Sequence, residues 1–158
     1  MTATGAANPE PLYRHRQRAS LPLLFAALAL AALVVLLLVA GAPTLATVVL
    51  LVFFAFLAQF WQLTVTVTRE AVRIEFGWGL IHRTVPTDSI KSAKPVRNRW
   101  YYGWGIRLYP GGWLYNVAGL DAVEVVLSAG RKVRIGTDEP AALTRAIEAA
   151  AGRPLRVA

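Results

Sequence analysis

The sequence predicts a hairpin of two transmembrane helices followed by an α+β domain of seven or eight short antiparallel strands, closed by one C-terminal helix. Three observations carry this. No charged residue occurs between Arg18 and Arg69. Hydrophobic residues make up 56% of the 158-residue chain, too many for an ordinary globular domain. From Leu63 the apolar period changes from helical to two, and it turns helical again only after Thr137.

Residues 1–19 read as a disordered, basic N-terminal tail. Met1 to Glu10 are small, polar and proline-containing, and Arg14-His15-Arg16-Gln17-Arg18 is a compact basic run. Residues 20–61 hold the two spans, about 21–40 and 44–61. Pro22 falls in the first turn, where a missing N–H costs nothing. Gly41-Ala42-Pro43 interrupts the apolar run, and each half approaches the ~20 residues that cross a hydrocarbon core of ~30 Å. A break this short makes the two helices antiparallel. A cleaved signal peptide is the competing reading of the first stretch, with Ala40-Gly41-Ala42 as its cleavage site. The length of the apolar region and the Pro43 that would follow the cut argue against it. Two charge-free stretches of this length likewise argue against a buried hairpin.

The positive-inside rule sets the orientation. Arg14, Arg16 and Arg18 precede the first span, Arg69 and Arg73 follow the second, and the connecting loop carries no charge. Both termini are therefore expected on the cytoplasmic side of the plasma membrane. Arg14, Arg16, Arg18, Trp61 and Arg69 are the expected membrane-interface anchors. Trp61, between Gln59 and Gln62, reads equally well as a core aromatic at the start of the first strand.

Residues 62–153 form the expected domain, followed by a short tail at 154–158. Leu63, Val65 and Val67 alternate with threonines. After Arg69-Glu70, Val72, Ile74 and Phe76 alternate with Arg73 and Glu75, giving a half-buried hairpin. Further strands read at Leu80 to Val85, Ile90 to Val96, Gly105 to Tyr109, Trp113 to Val117, Val123 to Leu127 and Lys132 to Ile135. Glycine- and proline-bearing turns separate them. Thr137-Asp138-Glu139-Pro140 starts a helix whose apolar face is Leu143, Ala146, Ile147 and Ala150, and Gly152 stops it. Leu63, Val65, Val67, Val72, Ile74, Phe76, Val133, Ile135, Leu143 and Ile147 are expected to share one core.

Several strings resemble bacterial membrane-anchored proteins of the pleckstrin-homology superfamily. They are Gly79-Leu80-Ile81-His82-Arg83-Thr84-Val85-Pro86 before Ile90, Tyr102-Gly103-Trp104-Gly105-Ile106-Arg107, Gly112-Trp113-Leu114-Tyr115-Asn116, Gly119-Leu120-Asp121-Ala122-Val123 and Arg134-Ile135-Gly136-Thr137-Asp138-Glu139-Pro140. The likeness covers residues 62 to 153. It implies a partly open β-barrel capped by a helix and a binding module rather than an enzyme, and it implies no particular ligand.

The residues offer little chemistry. The chain has no cysteine, which excludes disulfides, thiolate metal sites and a cysteine nucleophile. His15 and His82 lack carboxylates at metal-ligand spacing. Asp88-Ser89 near His82 lacks the strained turn a serine nucleophile needs. Gly77-Trp78-Gly79 and Gly103-Trp104-Gly105 are not followed by a helix, so they mark bends rather than phosphate loops. No cofactor and no metal are expected.

One segment could carry function. Lys91, Lys94, Arg97 and Arg99 cluster around Pro95, and Trp100, Tyr101, Tyr102 and Trp104 follow. Cations beside aromatics suit an anionic headgroup surface or single-stranded nucleic acid. They equally suit a solvated loop beside core aromatics. The net charge of +8 fits either polyanion. The order of elements is wrong for an RNA-recognition fold, and the membrane tether argues further against nucleic acid. The expected function is a non-enzymatic, membrane-anchored module for protein interaction or assembly at the inner face of the membrane. The alternative is an anionic-lipid sensor in which Lys91, Lys94, Arg97, Arg99, Trp100 and Tyr101 contact headgroups. The expected partners are the bilayer itself, anionic headgroups and other membrane proteins.

Overall fold

The structure is a computed structural model that describes residues 10–152. The expected tail disorder at residues 1–9 and the tail at 154–158 lie outside the described residues. The basic run does not belong to a disordered tail. Tyr13–Arg18 is a strand, β1, with Tyr13, His15 and Gln17 turned inward and Arg14, Arg16 and Arg18 exposed. This is period-two alternation in a sequence dense enough in charge to look like a solvated tail.

Two apolar helices follow, α1 (Ser20–Val39) and α2 (Pro43–Phe60). Pro43 opens α2, where its missing N–H has no partner to lose. The helices pack side by side, and a groove of about 490 Å³ runs between Ala26, Leu30 and Leu33 of α1 and Val48, Val52 and Phe56 of α2. Among the described residues, α2 is the one helix long and apolar enough to cross a membrane. The apolar stretch Leu24–Val39 is shorter than that criterion.

Strands β2 (Gln62–Val67), β3 (Ala71–Phe76) and β4 (Ile81–Pro86) complete an antiparallel sheet in the order β1-β2-β3-β4. β1 lies on β2 with Arg18 opposite Gln62 and Tyr13 opposite Val67. The Ala19 N–H donates to the Trp61 carbonyl at 2.9 Å. The helix pair is thus the connection of a β-hairpin, leaving the sheet from β1 and returning to it through β2.

A second sheet holds β5 (Ile90–Arg97), β6 (Gly105–Tyr109), β7 (Gly112–Asn116), β8 (Asp121–Leu127) and β9 (Lys132–Gly136), ordered β5-β8-β9-β7-β6. Among the described residues the strands therefore number nine, and the expectation of an all-antiparallel set fails at one pair. β7 runs parallel to β9, with Tyr115 opposite Ile135. The β6–β7 hairpin docks on β9 because β8 already occupies its other edge. Gly112 permits the approach, since a side chain there would collide with the Lys132 carbonyl.

Helix α3 (Pro140–Ala151) packs against β5, β8 and β2 and inserts Leu143 and Ile147, both fully buried. The Thr137 hydroxyl accepts the Glu139 N–H at 3.0 Å, and Gly152 ends the helix in the left-handed conformation. All ten residues expected in the core lie in one cluster that draws on both sheets and α3. Burying such side chains contributes about 1.5–3 kcal/mol each. His15 reaches from β1 to the start of α3, 2.5 Å from Asp138 Oδ1 and 3.5 Å from Glu139 Oε2.

Candidate functional site

β5 distributes the candidate cations instead of gathering them. Lys91 is exposed, and Lys94 stands opposite Glu124 of β8. Arg97 comes to 4.0 Å from Asp121. Beyond the strand, the Asn98 N–H donates to the Leu120 carbonyl at 2.6 Å, which holds the segment down at that point. Trp100–Tyr102 then forms a single 3-10 turn. Arg99 Nη1 donates to the Tyr101 hydroxyl at 2.6 Å, and its guanidinium lies 5.8 Å from that ring. Trp100 is 79% exposed, so Arg99, Trp100 and Tyr101 form an outward-facing group at this corner.

Tyr102 turns back onto the outer face of the second sheet, into a cluster that the linear sequence did not reveal. Its ring lies 6.1 Å from Tyr109, and the Arg134 guanidinium sits 4.2 Å from the Tyr109 ring. Arg134 Nε donates to Glu124 Oε2 at 2.8 Å and Nη1 to Asn98 Oδ1 at 3.2 Å. The Tyr109 hydroxyl donates to the same carboxylate at 3.1 Å, and Lys132 Nζ lies 3.4 Å from its other oxygen. Burial alone would raise the Glu124 pKa. The Arg134 hydrogen bond and charge, the Lys132 charge and the Tyr109 hydroxyl outweigh it and hold the carboxyl below its usual range. The Tyr109 hydroxyl is pushed up by burial and by the Glu124 charge. A carboxylate this well paired stays ionised and ties β6, β8 and β9 together. Its signal in the sequence was a lone acid between Val123 and Val125, register-matched to a lone arginine between Val133 and Ile135.

The other candidates have simple contacts. His82 Nδ1 lies 3.2 Å from the Gly79 carbonyl, and the Ser89 hydroxyl donates to the Pro86 carbonyl at 2.7 Å. Among the described residues no group of three or more histidines and carboxylates could hold a metal ion. The glycines of both Gly-Trp-Gly strings have positive φ, as bends require.

Of the expected interface anchors, Arg18 and Trp61 meet at the base of the helix pair, 5.8 Å from guanidinium to ring. Arg16 and Arg14 lie progressively farther from that base, because β1 runs away from it at ~3.3 Å per residue. Arg69 is at the far end of β2, where it lines a cavity with Thr87, Asp88 and Ala150. The strand carries it away from the helices, so proximity in sequence did not become proximity in space.

Two surfaces adjoin the helix base. An apolar cavity of about 300 Å³ lies between Ala19, Ala26, Phe56 and Phe60 on the helical side and Trp104 to Arg107 and Val117 on the strand side. β6 is the outermost strand of its sheet and pairs only with β7 among the described residues. Leu108 on it is 71% exposed, with Trp113 opposite it on β7. No family model matches this sequence, and no curated protein or solved structure matches it either.

Proposed function

We propose that the chain is a non-enzymatic module of pleckstrin-homology-like type, anchored at the inner face of the plasma membrane by α1 and α2 as a transmembrane hairpin, and that it binds a partner protein through β6. The observation that carries this is the open β6 edge with Leu108 beside it. An unpaired strand offers a row of backbone donors and acceptors to an added strand, and exposed apolar side chains supply the contact area. The spread of the candidate cations along β5 supports this reading over lipid sensing, since Lys94 pairs in register with Glu124 and Arg97 lies 4.0 Å from Asp121.

A photo-crosslinking residue at Leu108 of the full chain, in its native membrane, tests the reading. The expected result is a discrete protein adduct that is absent with the same residue at Arg73, on the exposed face of β3. Equal labelling from both positions overturns the β6 assignment. A second reading, contact with anionic headgroups, rests on the exposed group Arg99, Trp100 and Tyr101. It predicts salt-sensitive protection of Trp100 in bilayers that contain anionic lipid.

A further inference from the structure

Trp78 and Trp104 sit at the tips of the two Gly-Trp-Gly bends, and the core uses neither. Trp78 is 75% exposed, with Leu80 exposed two residues on. Both bends lie at the base of the helix pair, on different faces of α2. Trp78 shares a cleft with Phe54, Leu57, Ala58 and Trp61, an i, i+3, i+4, i+7 stripe. Trp104 lines the apolar cavity with Phe56 and Phe60.

The first bend is fixed to the helix end. A side chain on Gly77 would collide with the Ala58 and Gln59 carbonyls of the last turn of α2. The Gln59 side chain donates to the Phe76 carbonyl at 3.0 Å, and the Gln62 side chain donates to the Gly77 carbonyl at 3.1 Å. Trp78 is therefore held beside the last two turns of α2, about 10 Å of helix at 1.5 Å per residue. If α2 spans the bilayer, its 18 residues, about 27 Å long, just cross the hydrocarbon core, so the Trp61 end of this stripe meets the headgroup layer, where the ring of tryptophan is buried and its N–H stays wet.

We infer that Trp78 and Trp104 are interfacial docking residues: they seat in the headgroup layer of the bilayer that holds α1 and α2, and so fix the tilt of the strand domain on the membrane. The partner is the phospholipid interface itself. Both tryptophans are continuous with the helix surface that would face lipid, and the chain passes from α2 to β2 through Trp61 alone, so the domain has no linker on which to stand away. The inference rests on the transmembrane reading of the helices.

The test uses the full chain in nanodiscs of zwitterionic phosphatidylcholine without a partner, as variants that each keep one tryptophan and carry Phe at the other four positions. Emission is quenched with lipids brominated near the top of the acyl chain and, separately, with aqueous acrylamide. Trp78 and Trp104 are expected to lose on the order of half of their emission to brominated lipid, because their rings would sit at the headgroup level, while Trp100 answers to acrylamide. Trp61 is the internal reference for the hairpin. If Trp61 is quenched by brominated lipid while Trp78 and Trp104 behave like Trp100, the docking inference is wrong and the hairpin reading stands. If Trp61 too ignores brominated lipid and alkaline carbonate releases the chain from membranes, both fall. The chain lacks cysteine, so a nitroxide on Trp78→Cys or Trp104→Cys gives the same answer from a single substitution should a multiple variant misfold. Preferential collision with oxygen supports docking, and preferential collision with a water-soluble nickel chelate overturns it.

Discussion

The ring of Phe60, the last residue of α2, packs 5.5 Å from the ring of Phe76, the last residue of β3. Phe56 stacks on Phe60 at 4.7 Å, and Phe76 continues to Tyr115 of β7 at 6.2 Å. One aromatic row therefore runs from the apolar helix pair into the centre of the strand domain and touches both sheets. The end of α2 is packed against the domain's own core through Phe60, and Trp61 is the single residue between that helix and β2.

Phe76 is fully buried in that row. Phe76→Ala should cost about 3–5 kcal/mol, because it removes a large side chain and leaves a cavity between the helix end and both sheets. Denaturant unfolding of the full chain in detergent, followed by the near-ultraviolet signal of the strand domain, measures it. A loss below about 1 kcal/mol would show that the row does not hold the parts together.

The Glu124–Arg134 pair makes a second prediction. Glu124 is 3% exposed, so Arg134→Met leaves a buried carboxylate short of its main partner and should cost about 3 kcal/mol. The folded pKa of Glu124 lies below its unfolded value of about 4.3. The stabilisation is therefore fully present above that value and is lost as pH falls through the lower, folded one. Acid titration of stability should steepen below about pH 4 in the parent chain. It should be flatter in Glu124→Gln, and parallel curves would contradict the assignment.

Because α1 and α2 connect the two strands of a hairpin, the domain needs β1. A fragment of residues 62–153 exposes the edge of β2 and loses the His15 contacts to Asp138 and Glu139, and it should aggregate. Replacing residues 19–61 by an Asn-Gly turn joins Arg18 to Gln62, which already face each other. That protein should be monomeric and unfold cooperatively. Identical behaviour of the two fragments would show that β1 is dispensable.

Topology gives the fourth prediction. Reporters fused at Ala158 and inserted at Gly41-Ala42-Pro43 should read opposite sides, the first cytoplasmic and the second external. This follows from basic residues flanking both outer ends of the helices and none in the loop. A C-terminal reporter active only outside would reverse the orientation and remove the inner-face assignment.

Local pattern was enough for most elements. The eight strands from Gln62 to Gly136 and the closing helix follow from period-two and helical spacing punctuated by glycine and proline, and the ten expected core residues share one cluster. The charge-free run gave the two apolar helices. β1 was legible in principle, since Tyr13, His15 and Gln17 alternate with arginines. Three arginines in five residues have no apolar face to declare a strand, however, and only β2 supplies the partner that makes one.

Tertiary structure alone decided the rest. The sequence groups Lys91, Lys94, Arg97 and Arg99, but a strand sends neighbouring side chains to opposite faces, and the pairing of β5 with β8 sets Lys94 against Glu124 and Arg97 against Asp121. It places Arg69 near α2 in the chain, yet β2 carries it to the far end of the sheet. The converse holds for Trp78 and Trp104, which are 26 positions apart and meet the same helix base. Spacing along a chain determines which face a residue shares with its near neighbours. Which distant residues that face meets depends on strand order and register, and these are set by long-range packing that no local pattern encodes.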